Sequence, residues 1–291
     1  MILVTGAGGK TGRAVLAALA RRGAAARAMV RGPRRRDGVR TLAAEVCEGD
    51  LLDPRAVAAA VAGAEAIYHI CPNVHPDEVA IGRGVIAAAR TAGVGRLVFH
   101  SVLHPRIEAM PHHWAKLRVE ELLVASGLDF TILQPAAYMQ NLLAQWDAVV
   151  RRGVYAVPYD LDARVALVDL GDVAEAAARV LTEPGHEAAT YELCAPGLPD
   201  QRQIAAILGD TLGREVRAVE TPLDEWAARA REAGLHGYAL EALLRMFRYY
   251  GRHGMAGGPR ALEWLLGRPA TALRRFVERV ARDEPHGLGR A

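Results

Sequence analysis

Cysteine is scarce. Cys47, Cys71 and Cys194 are odd in number and far apart, and no CxxC pair occurs, which argues against a disulfide framework or a structural zinc and for a reducing compartment. A strong excess of one charge is also missing: 36 Lys and Arg against 33 Asp and Glu leave a formal +3. With both signs interspersed there is no concentrated basic face for nucleic-acid affinity through counterion release. Long apolar runs are absent. The longest uncharged stretch, Phe130 to Trp146, contains Gln134, Pro135, Gln140 and Asn141, a poor composition for a bilayer-spanning helix of about 20 apolar residues. The opening Met1-Ile2-Leu3-Val4 lacks the basic start of a signal peptide and reads as a strand, so a cytoplasmic, soluble protein is expected. No internal repeat or low-complexity tract occurs, and 51% hydrophobic with 24% charged residues excludes a mainly disordered chain. A chain of 291 residues makes one large domain or two ordinary ones.

Short apolar runs alternate with alanine-rich stretches through the first two-thirds. Strands are expected at Ile2–Thr5, Ala26–Val30, Ala66–Ile70, Leu97–Ser101 and Phe130–Leu133, and helices at Gly12–Arg22, Pro54–Val61, Glu78–Ala92 and His112–Ser126. This rhythm gives βαβ units and an α/β fold: a Rossmann-type, doubly wound parallel sheet with helices on both faces. Gly23, Gly93 and Gly127 stand where helices should end. Beyond Trp146 come short extended pieces at Val154–Pro158 and Arg164–Val168, a helix at Asp172–Leu181 and a strand at Thr190–Cys194. From Asp200 the periodicity is helical. The expected division is a dinucleotide-binding domain over 1–195, with short excursions near 140–165, and a smaller, mainly helical substrate-binding region over 196–291. Arg252–Pro259, rich in glycine, is expected to be a flexible loop.

The most specific motif is Gly6-x-x-Gly9-x-x-Gly12, which follows a strand and opens a helix. Gly6 permits the tight turn, Gly9 lets backbone approach a pyrophosphate, and Gly12 lets the helix lie close on the strand. The helix N-terminus offers unpaired amides to phosphate, so Gly6, Ala7, Gly9, Lys10, Thr11 and Gly12 form the expected cofactor loop. An NAD site would carry an acid at the end of the second strand; here stands Arg31, followed by Arg34, Arg35 and Arg36. A guanidinium there suits a 2′-phosphate, so NADP(H) is expected over NAD(H). The alternative for Arg34–Arg36 is a solvated loop face. Asp50 and Leu51, after the third strand, are placed at the adenine, although Asp50 could equally cap the helix ahead of Pro54. Cys71 and Pro135, at the ends of the fourth and sixth strands, complete the cofactor set.

The glycine loop, Arg31, His100-Ser101-Val102, Lys116, Gln134 through Asn141, and Val168-Asp169-Leu170-Gly171-Asp172 together resemble the NmrA-like branch of the atypical short-chain dehydrogenase/reductases, over nearly the whole chain. That resemblance implies a Ser/Tyr/Lys set in which Lys116 bonds the nicotinamide ribose and Ser101 is the strand-end serine. The chain departs from it four residues before Lys116, where His112 replaces tyrosine.

Hydride transfer belongs to the nicotinamide, and the protein orients the acceptor and supplies a proton. His112 and Tyr138 are the candidate proton donors beside Ser101 and Lys116. The competing readings are a solvated helix start for His112, a pocket wall for Tyr138 and a strand-end hydrogen bond for Ser101. His100, His104, His112 and His113 lie close in sequence but lack metal-site spacing, and no metal is expected. Trp114, Met139, Trp146, Trp226, Met246, Phe247, Tyr249 and Tyr250 could line an apolar pocket, though helical spacing makes most of them core. The expected activity is NADPH-dependent reduction of a small apolar or aromatic carbonyl, quinone, enone or imine; the alternative is a non-catalytic NADP(H)-binding redox sensor. Expected partners are a small-molecule substrate, a second copy of the chain or a regulatory protein, with no nucleic acid and no membrane.

Overall fold

The computed structural model describes residues 1–283. Strand and helix alternate first: β1 (Ile2–Val4), α1 (Lys10–Arg21), β2 (Ala26–Val30), α2 (Pro33–Asp37), β3 (Glu45–Glu48), α3 (Pro54–Val61), β4 (Ala66–His69), α4 (Glu78–Thr91), β5 (Arg96–His100), α5 (Pro111–Val124) and β6 (Phe130–Pro135). Then follow β7 (Ala137–Tyr138), a 3-10 helix (Met139–Gln145), α6 (Trp146–Arg152), β8 (Val154–Val157), β9 (Leu167–Val168), α7 (Leu170–Thr182) and β10 (Ala189–Leu193). The rest comprises α8 (Gln201–Leu212), β11 (Arg217–Glu220), α9 (Leu223–Glu232), α10 (Gly237–His253), α11 (Arg260–Leu266) and α12 (Leu273–Asp283).

Seven strands form one sheet in the order β10-β6-β5-β4-β1-β2-β3. β1 pairs in parallel with both β2 and β4, so the winding reverses at β1, where sheets of this class open a crevice at the carboxyl ends of the strands. Every residue of β1 and β4 is buried, as expected of strands covered on both faces. Contacts divide the chain into two compact units. Among the described residues, the first comprises 1–108, 112–135 and 170–192, and the second takes 109–111, 136–169 and 193–283.

In the first unit Leu3, Ile67, Leu97, Phe99 and Ile132 from the strands meet Val57, Ile81, Val85, Val119 and Leu123 from α3, α4 and α5. α7, whose buried residues include the small Ala174, Ala177 and Ala178, packs on α1. Asp53 caps α3 by accepting from the Arg55 amide at 2.9 Å, with Pro54 in the first turn.

In the second unit Met139, Leu142, Trp146, Tyr155, Ile204, Leu208 and Phe276 form the core. α8 starts at a capping box: the Asp200 carboxylate accepts from the Gln203 amide at 2.8 Å, and Gln203 Oε1 accepts from the Asp200 amide at 3.0 Å. Trp226 stands edge-on to Phe247 at 4.7 Å, and Tyr250 is buried against Tyr159. Met139, Trp146 and Tyr250 are therefore core residues. The expected strand at Arg164–Val168 is only β9, preceded by a bridge between Val165 and Met255. That bridge also corrects the flexible loop expected at Arg252–Pro259. Arg252 and His253 end α10, and Met255 is buried, donating to Arg164 O at 2.8 Å and accepting from the Ala166 amide at 2.7 Å. Composition announces a loop there, but backbone pairing ties it down.

Candidate dinucleotide and active site

Gly6 takes φ +59°, a left-handed turn open to glycine, and an added Cβ would meet Ile70 O at 2.9 Å. At Gly12 a Cβ would lie 2.5 Å from Ala7 Cα and 2.6 Å from Gly6 O, so α1 lies directly against the loop and only glycine fits there. Gly9 is different: its added Cβ would meet only Gly6 O, at 3.4 Å, leaving open space before it. Gly9 is also the N-cap of α1, with no side-chain cap and no acidic residue in the first turn. Amide donors in a first helical turn lack intrahelical acceptors, and the helix dipole favours an anion there. The cradle fits a pyrophosphate. Lys10, at the start of α1, has its pKa lowered by burial.

Thr5 locks this loop to β4. Its amide donates to Tyr68 O at 3.0 Å, its hydroxyl oxygen accepts from the Ile70 amide at 2.9 Å, and it also lies 2.9 Å from His69 Nδ1. After β2, Arg31 and Arg34 are exposed and make no ion pair among the described residues. Arg35 lies along Gly8, within 2.8 Å of where a Cβ would stand, and Arg36 pairs with Glu48 at 3.3 Å. The basic segment is thus partly built onto the glycine loop. Asp50 is exposed and holds its own turn by accepting from the Leu52 amide at 2.9 Å. The α3 cap is Asp53 and not Asp50. Leu51 and Cys71 both turn into the core, and burial, followed by the Glu78 charge, pushes the Cys71 thiol up. Pro135 is buried and its carbonyl accepts from the Leu103 amide at 2.9 Å.

His112, Lys116 and Glu120 stand one turn apart on α5. Lys116 Nζ donates to Glu78 Oε1 at 2.9 Å and to His100 O at 3.2 Å, and lies 5.3 Å above the Phe99 ring. Glu78, in the first turn of α4, is almost wholly buried. Ser101 donates its hydroxyl proton to Glu120 Oε1, and Gln134 Nε2 donates to the same carboxylate at 2.9 and 3.1 Å. Burial raises the Glu120 pKa, against the lowering effect of those two hydrogen bonds.

Histidines crowd round Lys116, and all are held neutral. His69 and His100 are pushed down to about 3 by burial, with the Lys116 charge adding to it. His112 falls to about 3 through burial, then His113 and Lys116; His113 falls to about 4, mainly through burial. His100 Nδ1 lies 2.7 Å from the Tyr68 hydroxyl, while His69 Nε2 and His112 Nδ1 are buried with no hydrogen-bond partner among the described residues. Tyr138 belongs to the second unit, where it pairs in β7 with Val168 of β9. Among the described residues, no three His, Cys, Asp or Glu side chains are grouped to hold a metal, and no helix is long and apolar enough to cross a membrane.

Sequence reasoning gave no site role to Glu78, Glu120, Gln134 or His69, although Gln134 stands in the stretch that carries the family resemblance. Glu120 was accessible, being four residues after Lys116 on the same helix. Glu78 was not, because an acid in a helix's first turn looks like an ordinary dipole partner. Its pairing spans 38 residues.

Comparison with known proteins gives a consistent picture. The model of the NmrA-like family matches residues 1–281. The chain is 29% identical over 283 residues to the NAD(P)H azoreductase of Xenophilus azovorans, covering 96% of this chain and 97% of that one. It is 29% identical over 282 residues to quinone oxidoreductase 2 of Escherichia coli K12, covering 96% and 98%. The structure of that NADPH-dependent quinone oxidoreductase complexed with NADPH superposes with a TM-score of 0.84 at 28% identity, over 96% of this chain and 99% of the other. Triphenylmethane reductase from Citrobacter sp. superposes with a TM-score of 0.85 at 25% identity, over 97% and 99%.

Proposed function

Because the chain belongs to the NmrA-like family, whose model matches residues 1–281, we propose that it is an NADPH-dependent reductase of quinones and related conjugated electrophiles, dyes included. The observation that carries the cofactor is the uncapped N-terminus of α1, open in front of Gly9 and closed tight by Gly6 and Gly12. Gly6, Ala7, Gly9, Lys10, Thr11 and Gly12 hold the pyrophosphate. Arg31 meets the 2′-phosphate, with the α2 arginines adding to the positive field, and this makes NADP(H) preferred over NAD(H). Lys116 bonds the nicotinamide ribose. The relatives named for quinone, azo-dye and triphenylmethane reduction support this reading.

When bound, the nucleotide supplies the hydride. The residues around Lys116 govern which acceptors can take it. No tyrosine stands at position 112, His112 is neutral with a pKa near 3, and the Ser101 proton is committed to Glu120. Neither His112 nor Ser101 therefore stores a proton for a strongly basic alkoxide, and the Lys116 ammonium is held by Glu78 and the His100 carbonyl. Quinones and cationic dyes do not need one: a reduced quinone leaves a phenolate-like anion whose conjugate acid titrates near that of tyrosine, about 10, and a cationic carbon becomes neutral on taking hydride. Unactivated ketones are disfavoured by the same argument. A sensor role is second to this reading, because full-length similarity runs to named reductases. The test is NADPH consumption with a quinone, a triphenylmethane cation and an unactivated aromatic ketone. The first two should turn over at least about tenfold faster than the ketone; equal rates would refute the proton argument.

A further inference from the structure

The Glu78–Lys116 pair does more than hold α4 to α5. Among the described residues Lys116 Nζ has two hydrogen-bond partners, the Glu78 carboxylate at 2.9 Å and the His100 carbonyl at 3.2 Å. The Glu78 side chain is 3% exposed and that of Lys116 15%. The charge on this lysine is therefore paired directly with one buried carboxylate, Glu78, with Glu120 one turn further along α5 and bonded to Ser101 and Gln134, and the histidines around it add no positive charge of their own. The cofactor has a corresponding property. Oxidised nicotinamide is a cation and reduced nicotinamide is neutral, so any uncompensated charge beside the ring favours one redox state over the other.

We propose that Glu78 is a positioning residue that cancels the Lys116 charge, so that the site accepts NADP+ and NADPH with nearly matched affinity. This rests on the reading that Lys116 meets the nicotinamide ribose. A reductase gains from such matching. It must bind the reduced form and release the oxidised one, and an ammonium left bare would expel the cation but also raise the potential of the bound couple, weakening hydride donation. Removing the carboxylate shifts discrimination toward NADPH; removing the ammonium shifts it toward NADP+. Through a partly buried medium, one unit charge at the distance of a neighbouring ring changes the ratio by roughly tenfold or more.

The experiment measures dissociation constants for NADP+ and NADPH separately, by calorimetry at pH 6.5, on the full chain. The variants are Glu78→Gln, Lys116→Met and the double variant. Glu78→Gln should raise Kd(NADP+)/Kd(NADPH) about tenfold, Lys116→Met should lower it, and the double variant should restore the parent ratio. A purely structural role for Glu78 would weaken both nucleotides together and leave the ratio fixed, which overturns the inference. If Lys116→Met moves the ratio but Glu78→Gln does not, the ribose assignment of Lys116 stands and the role given to Glu78 falls. If neither variant moves either constant, Lys116 does not meet the nucleotide and both readings fall. Should Glu78→Gln alone fail to fold, the double variant compared with Lys116→Met decides: a rise back toward the parent ratio supports the charge assigned to Glu78, and an unchanged ratio refutes it.

Discussion

Four histidines held neutral in the folded state make the protein sensitive to mild acid. His69, His100 and His112 have pKa values near 3 and His113 near 4, each lowered mainly by burial. In the unfolded chain they titrate near 6.5. Between those values the unfolded state binds more protons, so stability rises with pH across that window, is complete above about 6.5 and is lost as pH falls. The structure explains the depression: His69 Nε2 and His112 Nδ1 are buried with no acceptor for an added proton, and the Lys116 ammonium opposes a second cation. From pH 7.5 to 5.5 each such histidine costs about 1.4 kcal/mol, and four together on the order of 5 kcal/mol. That is comparable with the total stability of many domains, about 5–15 kcal/mol. Urea unfolding followed by tryptophan fluorescence at the two pH values measures it. His112→Phe, which cannot titrate, should reduce the loss by about 1.4 kcal/mol. Equal midpoints for the parent protein at pH 7.5 and 5.5 would refute the reasoning, because carboxylates titrate mostly below this range.

Other substitutions probe separate parts of the account. Gly12→Ala places a Cβ 2.5 Å from Ala7 Cα, so α1 must move off the loop; expected are a loss of roughly 1–3 kcal/mol by chemical denaturation and at least tenfold weaker dinucleotide binding by titration. Arg31→Ala should weaken NADPH binding at least about tenfold while leaving NADH nearly unchanged, and equal losses would remove the 2′-phosphate argument. Glu120→Leu leaves Ser101 and Gln134 without their buried acceptor and should cost about 1–3 kcal/mol in urea unfolding.

Local chemistry carried much of the fold into the sequence. α3 is bounded by Pro54 at its start, and β2 by Arg31-Gly32-Pro33 at its end; both match the expected spans residue for residue. The expected alternation of strand and helix fills the parallel part of the sheet. The glycine loop was legible because each glycine answers a different backbone need that composition can signal: a positive φ, an open approach and a close crossing. The partners that other elements bring to the surroundings of Lys116 were not legible. Glu78, His69 and Gln134 come from other elements, and their side chains converge only because α4, β4 and β6 pack beside α5 and β5. Met255 makes the same point in the second unit: its glycine-rich surroundings suggest mobility, whereas its two backbone bonds depend on Arg164 and Ala166, some 90 residues earlier in the chain.

In the proposed function this chain binds NADPH and passes its hydride to a conjugated acceptor, with Lys116 holding the nicotinamide ribose. NADPH oxidation in the presence of a quinone, measured for the parent protein and for Lys116→Ala at saturating nucleotide, tests it most directly. Turnover in the parent should fall at least about a hundredfold in the variant, as loss of reactant positioning commonly causes. Undiminished turnover in Lys116→Ala, or none in parent protein shown to hold NADPH, would contradict it.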